Sequence, residues 1–183
     1  MKFIKTDLAN YNSIDDSVKQ VLANIGTEPV FLLNIASVGS KPDITGDEID
    51  RVFHANIMGA MYLTSLLLDK IKETEGDILN VSSTQARKGA TREIIYSVSK
   101  WAMRGFTESL QAQLKDTKCR AIDFVAGGFV SKIVEKAVGY DTWANANMNE
   151  WIPLTDMVDL LYMVLQVPKS IQISTIIADR KIH

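Results

Sequence analysis

A single cysteine, Cys119, leaves no partner for an intramolecular disulfide and suits a reducing, cytoplasmic setting. Histidine is equally scarce: only His54 and His183 occur. One Cys and two His leave no set for a Cys/His zinc site, so no resident metal is expected. His54 falls inside a helical pattern and His183 is the last residue, and no Gly-x-Ser-x-Gly occurs, which removes the serine-hydrolase constellations. Basic charge is not in excess. The net charge is −2, so no nucleic-acid-binding surface is expected. No apolar run is long enough to span a membrane, so no membrane partner is expected either. The first residues, MKFIKTD, do not read as a leader but as the interior of an element. The ten glycines are scattered, and only Gly127 and Gly128 are adjacent, so nothing resembles a phosphate-cradling loop.

What is present is a strand–helix alternation. At 183 residues, 46% of them hydrophobic, the chain suffices for one core and one domain over 1–183. Four short apolar runs predict buried parallel strands: 29–36, 76–83, 119–126 and 170–178. KFIKT (2–6) is a weaker fifth. Helices are predicted after Ser13, from Thr45 to about residue 72, after Thr91, and from about Thr155 to Leu165, with Ser13 and Thr45 as N-caps. The second carries an apolar stripe through Ile49, Val52, Phe53, Ile57, Ala60, Leu63, Leu67 and Ile71. The third carries Val98, Ala102, Phe106, Leu110 and Leu114. This pattern predicts a Rossmann-like, doubly wound α/β fold with a mostly parallel sheet of about five strands. Residues 129–154 are the least regular and read as a flap. Trp143, Met148 and Trp151 within it suggest an apolar lid or plain packing.

Tyr96 and Lys100 lie four apart on a predicted helix, so a phenol and an ammonium share one face. With five tyrosines in the chain, such a pair alone also arises by chance as a solvated face. Its surroundings are more specific. Ser83 ends the strand ILNVSS, and ligands of open α/β sheets bind beyond the carboxyl ends of strands. Asn56 interrupts an apolar stripe, where a buried amide must be bonded, either to a functional group or to main chain at a helix bend. Asn34 closes VFLLN and is followed by small residues that would let a ligand approach the backbone.

These residues resemble the classical short-chain dehydrogenases/reductases. The family's Asn-Asn-Ala-Gly turn corresponds to Asn34, Ile35, Ala36 and Ser37, with Ser37 at the glycine position. Its helix asparagine, serine, tyrosine and lysine correspond to Asn56, Ser83, Tyr96 and Lys100, at separations of 27, 13 and 4. The resemblance implies NAD or NADP as cofactor, a small carbonyl or alcohol substrate, and a homodimer or tetramer through the two long helices. It implies that Tyr96 is the acid/base, that Lys100 lowers its pKa and binds ribose hydroxyls, that Ser83 holds the substrate oxygen, and that Asn56 holds a relay water. Asp7, Asn34, Ala36, Gly128 and Val130 would join Tyr96 and Lys100 at the cofactor. Asp7 reads equally well as a turn residue before a helix.

Departures accompany the match. The Gly-x-x-x-Gly-x-Gly loop is absent, and the chain is expected to start at the family's third strand. The usual Pro-Gly is Gly127-Gly128, and Lys132 stands where a threonine is usual. Without the first two family strands, PVFLLN becomes an apolar edge. KFIKT, or another chain, is expected to pair with it. The alternative to an oxidoreductase is a catalytically silent relative serving as an oligomerising or interaction protein.

Overall fold

The computed structural model describes residues 3–130 and 151–181. Its elements are α1 (Tyr11–Leu22), β1 (Phe31–Asn34), α2 (Gly46–Phe53), a π-helical turn (His54–Met58), α3 (Gly59–Glu73), β2 (Asp77–Ser83), a 3-10 turn (Thr84–Arg87), α4 (Ile94–Leu114), β3 (Arg120–Ala126), α5 (Leu154–Gln166) and β4 (Thr175–Ala178). Among the described residues the sheet has four strands in the order β1-β2-β3-β4, all parallel. This is the expected doubly wound, Rossmann-like α/β arrangement with one strand fewer than expected.

The missing strand is KFIKT. Residues 3–6 form no strand, Phe3 is exposed, and β1 pairs with β2 alone among the described residues. The segment turns instead toward the helices, where the Thr6 and Ser17 hydroxyls bond at 2.6 Å and Leu8 packs on the core beside α3. KFIKT was the weakest strand candidate, and residues 3–6 lead instead into the turn before α1. Asn10, rather than Ser13, caps that helix by accepting from the Ser13 N–H. Thr45 caps α2 as expected, accepting from the Glu48 N–H. The Glu48 carboxylate does not return to Thr45 to complete a capping box. It accepts from the Lys41 N–H at 2.7 Å and from Arg51.

One face of the sheet is covered by α3 and α4, with α1 packed outside α3. Ile14, Val18, Leu32, Leu67, Ile71, Ile78, Leu110, Leu114 and Ala121 make the core there. The other face is covered by α5, whose Met157 and Val164 meet Leu79, Ile122 and Phe124. The first layer is unusually polar near its centre. Asn34 donates to Asn80 at 2.8 Å and to Thr64 at 3.2 Å, and Asn80 donates to Thr107 at 2.9 Å. These amides tie β1, β2, α3 and α4 together. At the amino ends of the strands, buried Asp77 receives Arg120 and Lys169, and Arg120 also donates to the carbonyls of Val167, Pro168 and Ile171.

Candidate active site

The strand register sets the stage. Ser83, Ala126 and Ala178 stand level at the carboxyl ends of β2, β3 and β4. β1 ends at Asn34, level with Asn80, so the chain beyond it crosses below the tip of β2. Ser83 caps the 3-10 turn by accepting from the Gln85 N–H at 3.2 Å. Ser97 of α4 donates to the Gln85 carbonyl at 2.9 Å, which holds the start of α4 against this turn.

Tyr96 sits on the first turn of α4, half-buried. Its N–H donates to Ser40 Oγ at 3.2 Å, and the Ser83 and Ser37 hydroxyls stand near enough to its phenol to favour the ionised form. Burial raises the phenol above its usual pKa, Glu93 adds to this, and the two hydroxyls oppose it. The lowering expected from Lys100 is therefore not the outcome in the chain by itself. The physical reason is geometric: Lys100 Nζ lies 5.7 Å from the Tyr96 ring centroid and donates to the Val81 carbonyl at 2.9 Å. Lys100 is 2% exposed, and burial lowers its pKa to about 8 against an opposing pull from Asp123.

Asn56 occupies the π-helical turn between α2 and α3, a widening of the helix that is frequent at functional sites. It is fully buried. The Val38 N–H donates to its Oδ1 at 2.7 Å, and its Nδ2 donates to the Val38 carbonyl at 2.9 Å and to Ser99 Oγ at 3.0 Å. Ser99 in turn donates to the Tyr96 carbonyl. Asn56 thus fixes the 37–40 loop, and through it Ser37, against α4. This is the main-chain role at a helix bend that the residue itself suggested.

The remaining candidates divide. Asn34 is buried and spends its amide within the polar layer. Ala36 is exposed in the loop beyond β1. Asp7 closes its own turn: its Oδ1 accepts from the Ala9 N–H, its N–H donates to Ser13, and its carbonyl accepts from the Asn10 N–H. Gly128 and Val130 follow β3, where the Val130 N–H donates to the Ile152 carbonyl at 3.0 Å and the Ile152 N–H donates to the Gly128 carbonyl at 3.2 Å. Gly127 explains the lost proline, since its N–H donates to the Ala178 carbonyl at 2.7 Å, a bond proline cannot make. A Cβ at Gly128 would lie 2.8 Å from the Trp151 ring. Lys132, Trp143 and Met148 lie outside the described residues.

An open cleft of about 390 Å³ lies past the ends of β2 and β4, lined by Thr84, Arg87, Lys88, Ile177 and Asp179. Sequence reasoning missed three contributors. Ser37 was noted only as a departure from glycine. Ser99 and Asp123 were signalled by polar residues inside otherwise apolar faces. Among the described residues there is no group of His, Cys, Asp and Glu that could hold a metal ion, and no helix is long and apolar enough to cross a membrane.

A sheet of parallel strands with Ser83, Tyr96 and Lys100 at its carboxyl end defines a class, and comparison with known proteins names it. The family profile described as short chain dehydrogenase matches residues 1–139, and the chain belongs to that family. It is 27% identical over 168 residues to versicolorin reductase 1 of Dothistroma septosporum, covering 86% of this chain and 64% of the relative. It superposes on L-sorbose reductase from Gluconobacter frateurii, solved with NADPH and L-sorbose, with a TM-score of 0.85 at 18% identity, over 96% of this chain and 74% of the other. It also superposes on a 3-ketoacyl-(acyl-carrier-protein) reductase from Brucella melitensis, solved with NADH, with a TM-score of 0.82 at 20% identity, over 96% and 76%. At these identities the two structural likenesses bear on the fold. Matches to the first curated relatives span between 39% and 64% of those proteins' lengths.

Proposed function

We propose that this chain, as one Rossmann-like domain over 1–183, is an oxidoreductase that interconverts a small carbonyl and an alcohol with NAD or NADP. The carrying observation is the placement of Ser83 at the carboxyl end of β2 with Tyr96 and Lys100 side by side on the adjoining α4, Lys100 Nζ 5.7 Å from the Tyr96 ring. In this reading Tyr96 passes its proton to the substrate oxygen, or takes it back in the reverse direction. Ser83 holds that oxygen and stabilises charge developing on it. Lys100 supplies positive charge near the phenol and reaches the cofactor ribose. Asn56 holds the loop that carries Ser37 to Tyr96.

The donor set fits the nicotinamide and ribose end of the cofactor, because Tyr96 and Lys100 lie side by side on α4 at the carboxyl edge of the sheet. The dinucleotide supplies or accepts the hydride when bound. Ala36, Gly128 and Val130 stand in the loops beyond β1 and β3 and are proposed to flank it. Asp7 is proposed for the adenine side. Asn34 is proposed to act from within the sheet by setting the end of β1.

Assembly into a homodimer or tetramer is part of the same reading. Its support is an exposed apolar surface of Ile94, Val98 and Trp101 on α4 with Met58 and Met61 nearby on the α2–α3 segment. The open edge of β1 is proposed to be covered by another chain.

A fluorescence titration with NADPH and NADH tests the function. Saturable binding is expected, with carbonyl reduction falling at least about 100-fold in Tyr96→Phe. No binding at millimolar cofactor would instead favour the catalytically silent interaction protein for this chain.

A further inference from the structure

The cleft past the ends of β2 and β4 carries positive charge that the Ser83–Tyr96–Lys100 arrangement does not use. Arg87 and Lys88 line it, with Thr84, Ile177 and Asp179. Both cations are exposed, and neither makes an ion pair or a hydrogen bond among the described residues. Two positive side chains against one carboxylate make the lining net positive, on a chain whose formal net charge is −2. The one acid is turned aside. Asp179 Oδ1 accepts from the Arg180 N–H at 2.8 Å and lies 2.6 Å from where a Cβ on Gly127 would stand, so it faces the end of β3.

The local fold explains this placement. Ser83 caps the 3-10 turn Thr84–Arg87. Three residues complete a 3-10 turn, so Thr84 and Arg87 eclipse and share one face. Ala86 is fully buried under the turn, and Gln85 donates to Glu93 at 3.1 Å. At about 2 Å of rise per residue, the Arg87 backbone stands roughly 8 Å beyond Ser83. Ile177, 49% exposed, gives the same cleft an apolar wall. At about 390 Å³ the cleft is of small-molecule size. A guanidinium takes a carboxylate or phosphate through two parallel N–H bonds, and an adjacent ammonium adds charge without fixing geometry.

We propose that Arg87, with Lys88 beside it, is a specificity-determining residue that receives an anionic group, carboxylate or phosphate, borne by the substrate several bonds from its carbonyl. The carbonyl rests at Ser83, the spacer runs along Ile177, and the anion meets Arg87. The inference rests on the reading of Ser83 and Tyr96 as the carbonyl end of the site. It names the substrate class: oxo acids or oxo phosphates and the matching alcohols, in preference to neutral ketones.

Substrate pairs with and without the anion test it: levulinate against methyl levulinate, and dihydroxyacetone phosphate against dihydroxyacetone. With NADPH or NADH, kcat/KM is expected to favour the anion in at least one pair, and that pair tells carboxylate from phosphate. The ratio of anionic to neutral kcat/KM is expected to fall at least about tenfold in Arg87→Met, chiefly through KM, and to be partly kept in Arg87→Lys. Ratios that stay within about twofold of the parent in Arg87→Met for both pairs overturn the proposal. A second reading needs neither cofactor nor turnover. The Arg87 side-chain 15Nε–1Hε resonance, assigned by its loss in Arg87→Met, is expected to shift saturably with levulinate or dihydroxyacetone phosphate and not with the neutral partner. An equal shift from the neutral partner, or none from either anion, overturns the proposal. Saturable anion binding at Arg87 in a chain that reduces neither pair upholds the anion site and counts against the oxidoreductase reading alone.

Discussion

Asn56 and Val38 form a closed amide pair: each residue donates one hydrogen bond to the other, at 2.9 Å and 2.7 Å. The side chain of one helix residue thereby stands in for a strand neighbour of the loop. Replacing Asn56 with Ala leaves the partly buried N–H and carbonyl of Val38 without these partners. The expected cost is about 1–3 kcal/mol, read as a lower urea midpoint. Hydrogen exchange sharpens this. The Val38 amide should lose protection while amides in the middle of β2 keep theirs, because the damage is local to the 37–40 loop.

Lys100 gives a pH dependence with a definite sign. Its pKa is lowered from 10.5 to about 8 by burial, so above pH 8 the folded chain sheds a proton that the unfolded chain still holds. Stability therefore gains from this group as pH rises from about 8 to about 10.5, and below pH 8 the full burial penalty applies. The shift corresponds to roughly 3 kcal/mol. Lys100→Met removes this pH-dependent contribution, so the parent should gain on Lys100→Met by up to roughly 3 kcal/mol as pH rises from about 8 to about 10.5. Chemical denaturation of both proteins at pH 7, 9 and 10.5 reads it out. A difference that does not change across those points contradicts the burial account.

Asp77 and Arg120 carry a different risk. Both are buried, paired at 2.8 Å, and Arg120 also holds three carbonyls after α5. Asp77→Ala strands the guanidinium and should cost about 3–5 kcal/mol in thermal or urea unfolding. Replacing both residues by apolar ones of similar volume should cost less than the single change.

Much of this architecture was legible in sequence, and the failures have physical reasons. The runs that became β1, β2 and β3 were found because their residues are apolar on both faces. The last strand, expected over 170–178, shrinks to Thr175–Ala178, where residues 168–171 instead supply carbonyls to Arg120. On α4 the apolar stripe holds at Ala102, Phe106, Leu110 and Leu114 and fails at Val98. Val98 is 49% exposed, whereas Ser97, Ser99, Lys100 and Thr107 face inward. Hydrophobic periodicity cannot see a helix face buried through hydrogen bonds. The apolar stripe likewise ran through the π-helical turn that splits the predicted long helix, where only Asn56 within the stripe hinted at a bend. Asn34 was placed beside the cofactor by the family resemblance, with the small residues after it letting a ligand approach the backbone. Its partners are Thr64 and Asn80, which no spacing in the sequence places beside it.

The amides of Asn34 and Asn80 also bear on how the strands find one another. A two-residue slip of β1 along β2 would keep Leu32 on the same face, and hydrophobic burial would barely penalise it. It would set Asn34 against Ile78 or Ser82 instead of Asn80 and leave buried amide groups unbonded, at about 1–3 kcal/mol each. The polar layer therefore works as a register check during folding, rejecting an alignment that an all-apolar interface would accept.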